Sequence, residues 1–198
     1  IRQLGAQVEV LDEGAVRRGS FGTFDVVVLG IRAYEVRPEL QAASAQLLDF
    51  ARAGGTVLVQ YNRGSLGSLA PQAIQVGRGS PRVADETAEV TLLNSSSPAL
   101  TAPNQITQLD FEGWVQERGL YFAADWDDAY VPLLEMNDPG EDPKRGSLLV
   151  ATIGEGLFIY TGLAFFRQWA NRVPGAYRLF ANLISLEPAS WRKFAPSN

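Results

Sequence analysis

The stretch FDVVVLGIRAY, residues 24–34, decides the fold class predicted for this chain. Three consecutive valines and a leucine form a continuous apolar run, which is typical of a strand buried on both faces of a parallel sheet. The run then leads into a loop that carries Arg32, Tyr34 and Glu35. In open α/β sheets, ligands bind just beyond the carboxyl ends of the strands. The stretch therefore predicts a central strand over residues 25–30, followed by a candidate binding loop.

The residues after this strand continue the pattern of an α/β unit. Arg37-Pro38 predicts the start of a helix, because proline is favoured at the first helical position. Gly54-Gly55 predicts its end, and TVLVQ, residues 56–60, predicts a second buried strand. A strand, a helix and a second strand in this order indicate a parallel crossover unit.

The end of the second strand supplies further candidate ligand-binding residues. Gln60, Tyr61 and Asn62 lie there, so we expect them to face Arg32 across a polar crevice at the edge of the sheet. Amide, guanidinium and phenol groups together suit a sugar or another small polar ligand. The same groups would also serve to satisfy exposed strand ends, and the sequence leaves this alternative open.

Other segments complete the predicted architecture. Residues 7–11 alternate apolar and polar side chains, which predicts a strand near the sheet edge, and residues 12–23 predict a connection. Two apolar runs around Gly154-Glu155-Gly156 predict an antiparallel hairpin over residues 147–161. Residues 175–186 have helical spacing, and 188–198 look like a tail that Trp191 and Phe194 hold in place. Because residues 1–4 resemble the end of a helix, we expect at least one strand before Ile1.

The composition excludes several kinds of chemistry. The 198 residues include no cysteine and no histidine, which removes thiol nucleophiles, Ser-His pairs and zinc sites built from these residues. The net charge is −5 and no basic stripe is present, which argues against nucleic acid as a partner. No apolar run reaches the roughly 18 residues that a membrane span requires.

Three stretches together resemble the C-terminal region of large bacterial PIG-L/LmbE-family deacetylases. They are FDVVVLGIRAYE with LLDFARAGGTVLVQY, EGWVQERGLYF with PLLEMNDPGE, and GSLLVATIGEGLFIYTGLAFFRQ with VPGAYRLFANLI. That region is similar to class I glutamine amidotransferase-like domains. The resemblance implies a three-layer, flavodoxin-like α/β sandwich with a mostly parallel sheet and an antiparallel hairpin at one edge. It places this domain over residues 1–187.

The chain departs from an active amidotransferase. Such enzymes place a nucleophilic cysteine in a sharp turn after a strand, whereas the turn after TVLVQ here carries Tyr61-Asn62-Arg63. The zinc ligands of the deacetylases belong to an N-terminal domain. The resemblance thus implies a non-catalytic accessory domain without a cofactor of its own, beside a zinc-dependent N-acetyl-sugar deacetylase domain of the same protein. Relatives of this sort are often exported, which favours an extracytoplasmic location over a cytoplasmic one.

Two aromatic and charged groups are further candidates. Trp114, Glu117, Arg118 and Tyr121 combine aromatic faces with planar polar groups, as sugar-binding sites do. Packing over a sheet edge or against another domain is the alternative. A second group follows the hairpin and is a candidate partner surface, with burial under the last helix as the alternative. It consists of Phe165, Phe166, Arg167 and Trp169.

Carboxylates allow competing functions. A stand-alone hydrolase would use Glu112, Glu117 or Asp125. Asp125, together with Asp127 and Asp128, also invites a calcium interpretation, although the segment lacks the glycine and the distal glutamate of an EF-hand. We interpret it as a solvated acidic turn. A scaffold or oligomerisation domain is the third alternative, and it requires an exposed apolar patch after the hairpin.

Overall fold

Nine strands form in residues 2–195, the part of the chain that the computed structural model describes. They are β1 (Val26–Leu29), β2 (Thr56–Gln60), β3 (Ile74–Gln75), β4 (Thr91–Leu92), β5 (Asp125–Trp126), β6 (Tyr130–Pro132), β7 (Leu134–Glu135), β8 (Leu148–Ile153) and β9 (Gly156–Thr161). Five of them build the main sheet in the order β1-β2-β9-β8-β6. Two small antiparallel ribbons, β3 with β5 and β4 with β7, lie outside it.

Eight helices in these same residues connect or cover the strands. They are α1 (Glu13–Arg18), α2 (Ala33–Val36), α3 (Pro38–Ala42), α4 (Ser44–Arg52), α5 (Pro98–Thr101), α6 (Phe165–Ala170), α7 (Pro174–Ile184) and α8 (Pro188–Phe194). Short 3-10 turns occur at Arg2–Leu4, Gly67–Leu69 and Gln108–Phe111. Within the described residues no helix has both the length and the apolar character needed to cross a membrane.

The main sheet is mostly parallel, and its predicted α/β class is confirmed. β1, β2 and β9 pair in parallel, whereas β8 pairs antiparallel with both β9 and β6. Four of the five strands therefore run in the same direction. Alternate residues of β2 enter two different apolar clusters, Leu58 beside α7 and Val57 with Val59 beside α4.

The prediction that β1 is a central strand is wrong. β1 forms as expected, but it is the last strand of the sheet on its side, and its burial alternates between half-buried and buried residues. Every residue of β2 and of β9 is buried instead. β9 therefore occupies the central position that the sequence pattern assigned to β1.

The predicted hairpin forms from β8 and β9, but it does not lie at the sheet edge. β6 covers the outer side of β8, where Tyr130 is paired with Ala151 and Pro132 with Leu149. The hairpin consequently contributes the third and fourth strands of the five. Its turn residue Gly154 adopts a left-handed φ of 56°, which glycine tolerates well.

The two ends of the chain differ from prediction. Residues 7–11 form no strand, and the predicted connection over 12–23 contains α1, whose first turn is capped by the carboxylate of Asp12. The predicted tail contains α8, in which Trp191 is completely buried within the core while Phe194 packs against it. Residue 1 and residues 196–198 lie outside the described residues.

Candidate functional site

The carboxyl ends of three parallel strands bring polar and aromatic side chains together. β1 leads to Arg32, β2 leads to Tyr61 and Arg63, and β9 leads to Phe166 and Arg167. Parallel strands end at the same edge of a sheet, where α/β proteins bind their ligands. We call this group the carboxyl-edge cluster. It comprises Arg32, Glu35, Tyr61, Arg63, Gln116, Glu117, Tyr121, Phe166, Arg167 and Arg82.

The loop after β1 is tied to the end of β2. The backbone N–H of Arg32 donates to the carbonyl of Tyr61 at 2.9 Å, and the amide oxygen of Asn62 accepts from the N–H of Glu35 at 3.2 Å. Glu35 also pairs with two guanidinium groups, Arg63 at 2.7 Å and Arg32 at 3.3 Å. The hydrogen bond from Arg63 lowers the pKa of Glu35 to about 2. The carboxylate is therefore ionised throughout the physiological range.

Three aromatic rings form the centre of the cluster. Tyr61 stacks on Tyr121, with ring centroids 5.4 Å apart and planes inclined by 19°, and it meets Phe166 at 5.8 Å. Tyr61 is buried, while the other two rings are half-buried. Burial raises the pKa of the Tyr61 hydroxyl, an effect that the nearby charges of Arg167 and Arg32 oppose. Tyr121 and Phe166 thus offer partly exposed ring faces beside guanidinium groups.

A buried carboxylate organises the other side of the cluster. Glu117 is 2% exposed, and its two oxygens accept from Arg167 at 2.7 Å and from Arg82 at 2.8 Å. The guanidinium of Arg167 also contacts the side chain of Gln116 and lies 4.9 Å from the centre of the Phe166 ring. With Glu35 and its two arginines included, four cations face two carboxylates. The cluster is locally positive although the whole chain has a net charge of −5.

Backbone strain is concentrated at this cluster. Four non-glycine residues of the described part of the chain adopt positive φ, and three of them belong to the cluster: Arg32 at 58°, Gln116 at 68° and Tyr121 at 54°. Left-handed conformations of such residues are unfavourable and persist where the surrounding structure imposes them, which is common at functional sites. The fourth residue, Arg172, lies elsewhere on the surface.

Contacts with β9 hold the strained loop at Tyr121. The buried hydroxyl of Tyr160 donates to the carbonyl of Tyr121, and the N–H of Leu120 donates to the carbonyl of Gly162 at 2.9 Å. The backbones approach so closely that a Cβ on Gly119 would lie 2.4 Å from the Gly162 carbonyl oxygen. These contacts leave no room for a side chain at position 119, and they fix the position of the Tyr121 loop.

Several predicted ligand residues lie away from the cluster surface. Tyr34 is buried, with its hydroxyl 2.9 Å from that of Ser44, and Gln60 is also buried. Trp114 and Arg118 are core residues, which corrects their assignment to a sugar-binding surface. The guanidinium of Arg118 donates to the backbone carbonyls of residues 88 and 111 and so secures loops of the fold.

The predicted partner surface is divided between the core and the cluster. Phe165 is fully buried and stacks with the half-buried Trp169 at 5.7 Å, and both contact Phe180 of α7. Burial was the alternative interpretation for the whole group, and it holds for Phe165. Phe166 and Arg167 instead belong to the carboxyl-edge cluster.

The carboxylates of the competing functions do not form a metal centre. Within the described residues no group of three or more acidic side chains is placed to hold a metal ion. Asp127 accepts from the N–H of Ala129, and Asp125 accepts from the N–H of Trp126. Glu112 is exposed, whereas both oxygens of Glu117 are occupied by arginines. These contacts favour the solvated turn over the calcium interpretation.

A separate groove lies beside the β3–β5 ribbon. It has a volume of about 770 Å³ and is lined by Trp126 together with residues 70–75, Asp125 and Asp127. The groove shares no lining residue with the carboxyl-edge cluster. Its tryptophan and carboxylates make it a second surface at which a polar ligand can be tested.

The sequence did not predict three members of the cluster, Arg63, Arg82 and Gln116, or Tyr160, which supports the cluster from outside. Arg82, Gln116 and Tyr160 contact Glu117, Arg167 and the Tyr121 carbonyl, respectively. Arg82 and Glu117 are 35 positions apart, and Tyr160 is 39 positions from Tyr121. No local pattern in the sequence marks these pairs, since they depend on how distant loops meet.

Comparison with known proteins bears on the fold. No protein-family model matches the chain, and no curated protein matches it significantly in sequence. The cytoplasmic protein STM3548 from Salmonella typhimurium is similar in structure, with a TM-score of 0.64 and 13% identity over 94% of this chain and 83% of that one. The cytoplasmic protein STM1381 from Salmonella typhimurium LT2 has a TM-score of 0.58 and 11% identity over 92% and 82%.

A more distant similarity involves much larger chains. The β-galactosidase from Rahnella sp. R3 aligns over 77% of this chain and 23% of its own length, with 15% identity and a TM-score of 0.43. That score is too low to support an argument, so the fold comparison rests on the two Salmonella proteins. Together with the strand order, their similarity supports an α/β fold with a mostly parallel sheet.

Proposed function

We propose that this chain is a non-catalytic, amidotransferase-like binding domain that holds a carbohydrate ligand at the carboxyl-edge cluster. The observation that carries the proposal is the convergence of three parallel strands on the partly exposed rings of Tyr121 and Phe166. We also propose that the detailed fold is a three-layer, flavodoxin-like sandwich. Because the sequence contains no cysteine or histidine, it lacks the nucleophile and base that amidotransferase chemistry needs.

The chemistry of the cluster suits a polar ligand with apolar faces. Aromatic rings stack against the C–H faces of a sugar, while guanidinium groups donate several hydrogen bonds in one plane. Arg32 and Arg167 are both partly exposed beside Tyr61, so each retains N–H groups directed away from its carboxylate partner. The strained backbone keeps these groups in place before the ligand arrives, which reduces the entropy cost of binding.

The proposed biological role comes from the sequence resemblance. As a C-terminal domain of a PIG-L/LmbE-related protein, the chain would present an N-acetyl sugar to a zinc-dependent deacetylase domain of the same polypeptide, or contact that domain directly. Catalysis would then lie outside these residues. An extracytoplasmic location is part of the same proposal.

Titration with N-acetylglucosamine and its β-1,4-linked dimer tests the binding proposal. Calorimetry or NMR on the 198-residue protein is expected to detect binding, and Tyr121→Ala is expected to weaken it roughly fivefold, because an aromatic contact contributes about 1 kcal/mol. Trp126→Ala in the separate groove is the matched control and should leave the affinity unchanged. Loss of binding in Trp126→Ala alone would move the site to that groove.

Two further results bear on the competing functions. Release of acetate from either sugar by the 198-residue protein with zinc present would contradict the non-catalytic assignment. A scaffold domain predicts no sugar binding and a dimer or larger assembly in solution. Of the residues on which that alternative depends, Phe165 is buried, whereas Phe166 and Trp169 are half-buried.

A further inference from the structure

A slot runs along the outer edge of β1. It has a volume of about 1010 Å³, with β1 on one side and residues 6–11 on the other. Gln60 and Ile184 are also among the residues that line it. Within residues 2–195, no backbone hydrogen bond joins the segment 6–11 to β1, and no strand pairs with the outer edge of β1.

The size of the slot corresponds to one strand. A β-strand rises about 3.3 Å per residue, lies about 4.8 Å from its neighbour and occupies about 10 Å between packed layers. Five residues of strand therefore fill roughly 800 Å³. The slot is slightly larger than this value, and β1, which would pair with the added strand, has four residues. A strand of about five residues would fit between the two walls.

The residues that line the slot include half-buried apolar side chains and a buried polar atom without a partner, as expected where a sheet lacks a neighbouring strand. Val26 and Val28 are half-buried although they belong to an apolar strand, and Ala6 and Val8 are half-buried on the opposite side. Gln60 is 5% exposed, and its side-chain oxygen is buried without a hydrogen-bond partner. Buried polar atoms of this kind are normally satisfied. An unpaired apolar edge also favours unwanted association with other strands.

We propose that this slot is the seat of one further β-strand, supplied by the same natural polypeptide from residues that precede Ile1. The strand would hydrogen-bond to the outer edge of β1 and carry apolar side chains at alternate positions. A strand from another protein would add to an open outer edge, whereas here the segment 6–11 covers the outer side of the slot. Because the slot lies inside the domain, the polypeptide of the domain itself is the favoured source of the additional strand. The inference does not depend on the ligand proposed above.

Hydrogen exchange of the β1 amides tests the proposal. In the natural polypeptide, the amides of Val26–Leu29 that point away from β2 are expected to exchange at least roughly 100-fold more slowly than in the 198-residue protein, because they would open only with the core. Equal exchange in the two proteins would overturn the proposal. Concentration-dependent dimers of the 198-residue protein that protect the same amides, with no added protection in the natural polypeptide, would assign the slot to a second copy.

A pair of substitutions provides an independent readout. Val28→Asp is expected to lower the melting temperature of the natural polypeptide more than that of the 198-residue protein, since only the filled slot would bury the new charge. Val36→Asp is the matched control, because Val36 is 59% exposed on α2 and outside the slot. Equal effects of Val28→Asp in both proteins would contradict a filled slot.

Discussion

Replacing Glu117 by glutamine tests whether a buried carboxylate holds the carboxyl-edge cluster together. Each oxygen of Glu117 accepts from one arginine, Arg167 at 2.7 Å and Arg82 at 2.8 Å, and the side chain is 2% exposed. The substitution preserves the shape and one acceptor oxygen. It removes the charge, however, and turns an NH₂ group towards a guanidinium.

The expected loss follows from these contacts. A hydrogen bond that involves a charged group contributes about 1.5–3 kcal/mol, and breaking one partner from a buried pair costs more. Arg82 is 60% exposed and Arg167 33% exposed, so solvent compensates part of the loss at the arginines. We expect the free energy of unfolding to fall by about 2–3 kcal/mol. For a chain of this length, that corresponds to a decrease of about 5–10 °C in melting temperature.

Differential scanning calorimetry and urea titration measure this change. Glu13→Gln is the matched control, since Glu13 pairs with Arg17 at 2.6 Å on an exposed helix face and should contribute less than about 0.5 kcal/mol. Glu117→Gln should also weaken binding of N-acetylglucosamine by displacing Arg167. If the free energy of unfolding of Glu117→Gln lies within about 0.5 kcal/mol of the wild-type value, the reasoning about this carboxylate is refuted.

Four other predictions concern separate parts of the molecule. The pKa of Glu35 in the folded protein is about 2, against an ordinary value of 4.5. The ion pairs of Glu35 therefore stabilise the fold fully above pH 4.5, and this contribution is lost as the pH falls towards 2. Carboxyl NMR titration should show a pKa of about 2 for Glu35, and Arg63→Ala should raise that pKa. Arg172→Gly should stabilise the protein by about 0.5–1 kcal/mol in urea titration, because it relieves a φ of 58° on the surface; a loss of stability would contradict the strain argument. Trp191→Ala should destabilise it by about 3–5 kcal/mol in the same assay, whereas a dispensable tail predicts almost no change. Tyr160→Phe should cost about 1 kcal/mol and lower sugar affinity by loosening the Tyr121 loop, and unchanged affinity would show that the loop is held by other contacts.

Local patterns in the sequence were enough to identify the four longest strands. The apolar runs at β1, β2, β8 and β9 produced strands, and the short glycine-bearing turn at residues 154–156 produced the hairpin. Pro38 begins a helix as predicted. These features depend on periodicity, apolar content and turn residues, all of which act over a few neighbouring positions.

Position within the sheet was predicted less well. β1 has the apolar run of a central strand, yet it lies at the edge, and the hairpin lies inside the sheet because β6 pairs with β8. An apolar run indicates that a strand is buried, but it does not identify the strand's neighbours. In the same way, Trp191 indicated that the last residues pack on the domain, but not that they form a helix.

For the candidate site, the sequence by itself placed Arg32, Glu35 and Tyr61 together, because parallel strands end at one edge of the sheet. Only the tertiary structure joined Tyr121, Phe166 and Arg167 to them and moved Trp114 and Arg118 into the core. The physical reason is that strand ends are ordered by backbone pairing, which follows from local pattern and chain direction. The contacts between long loops depend instead on packing over 35 or more positions, which no local pattern encodes.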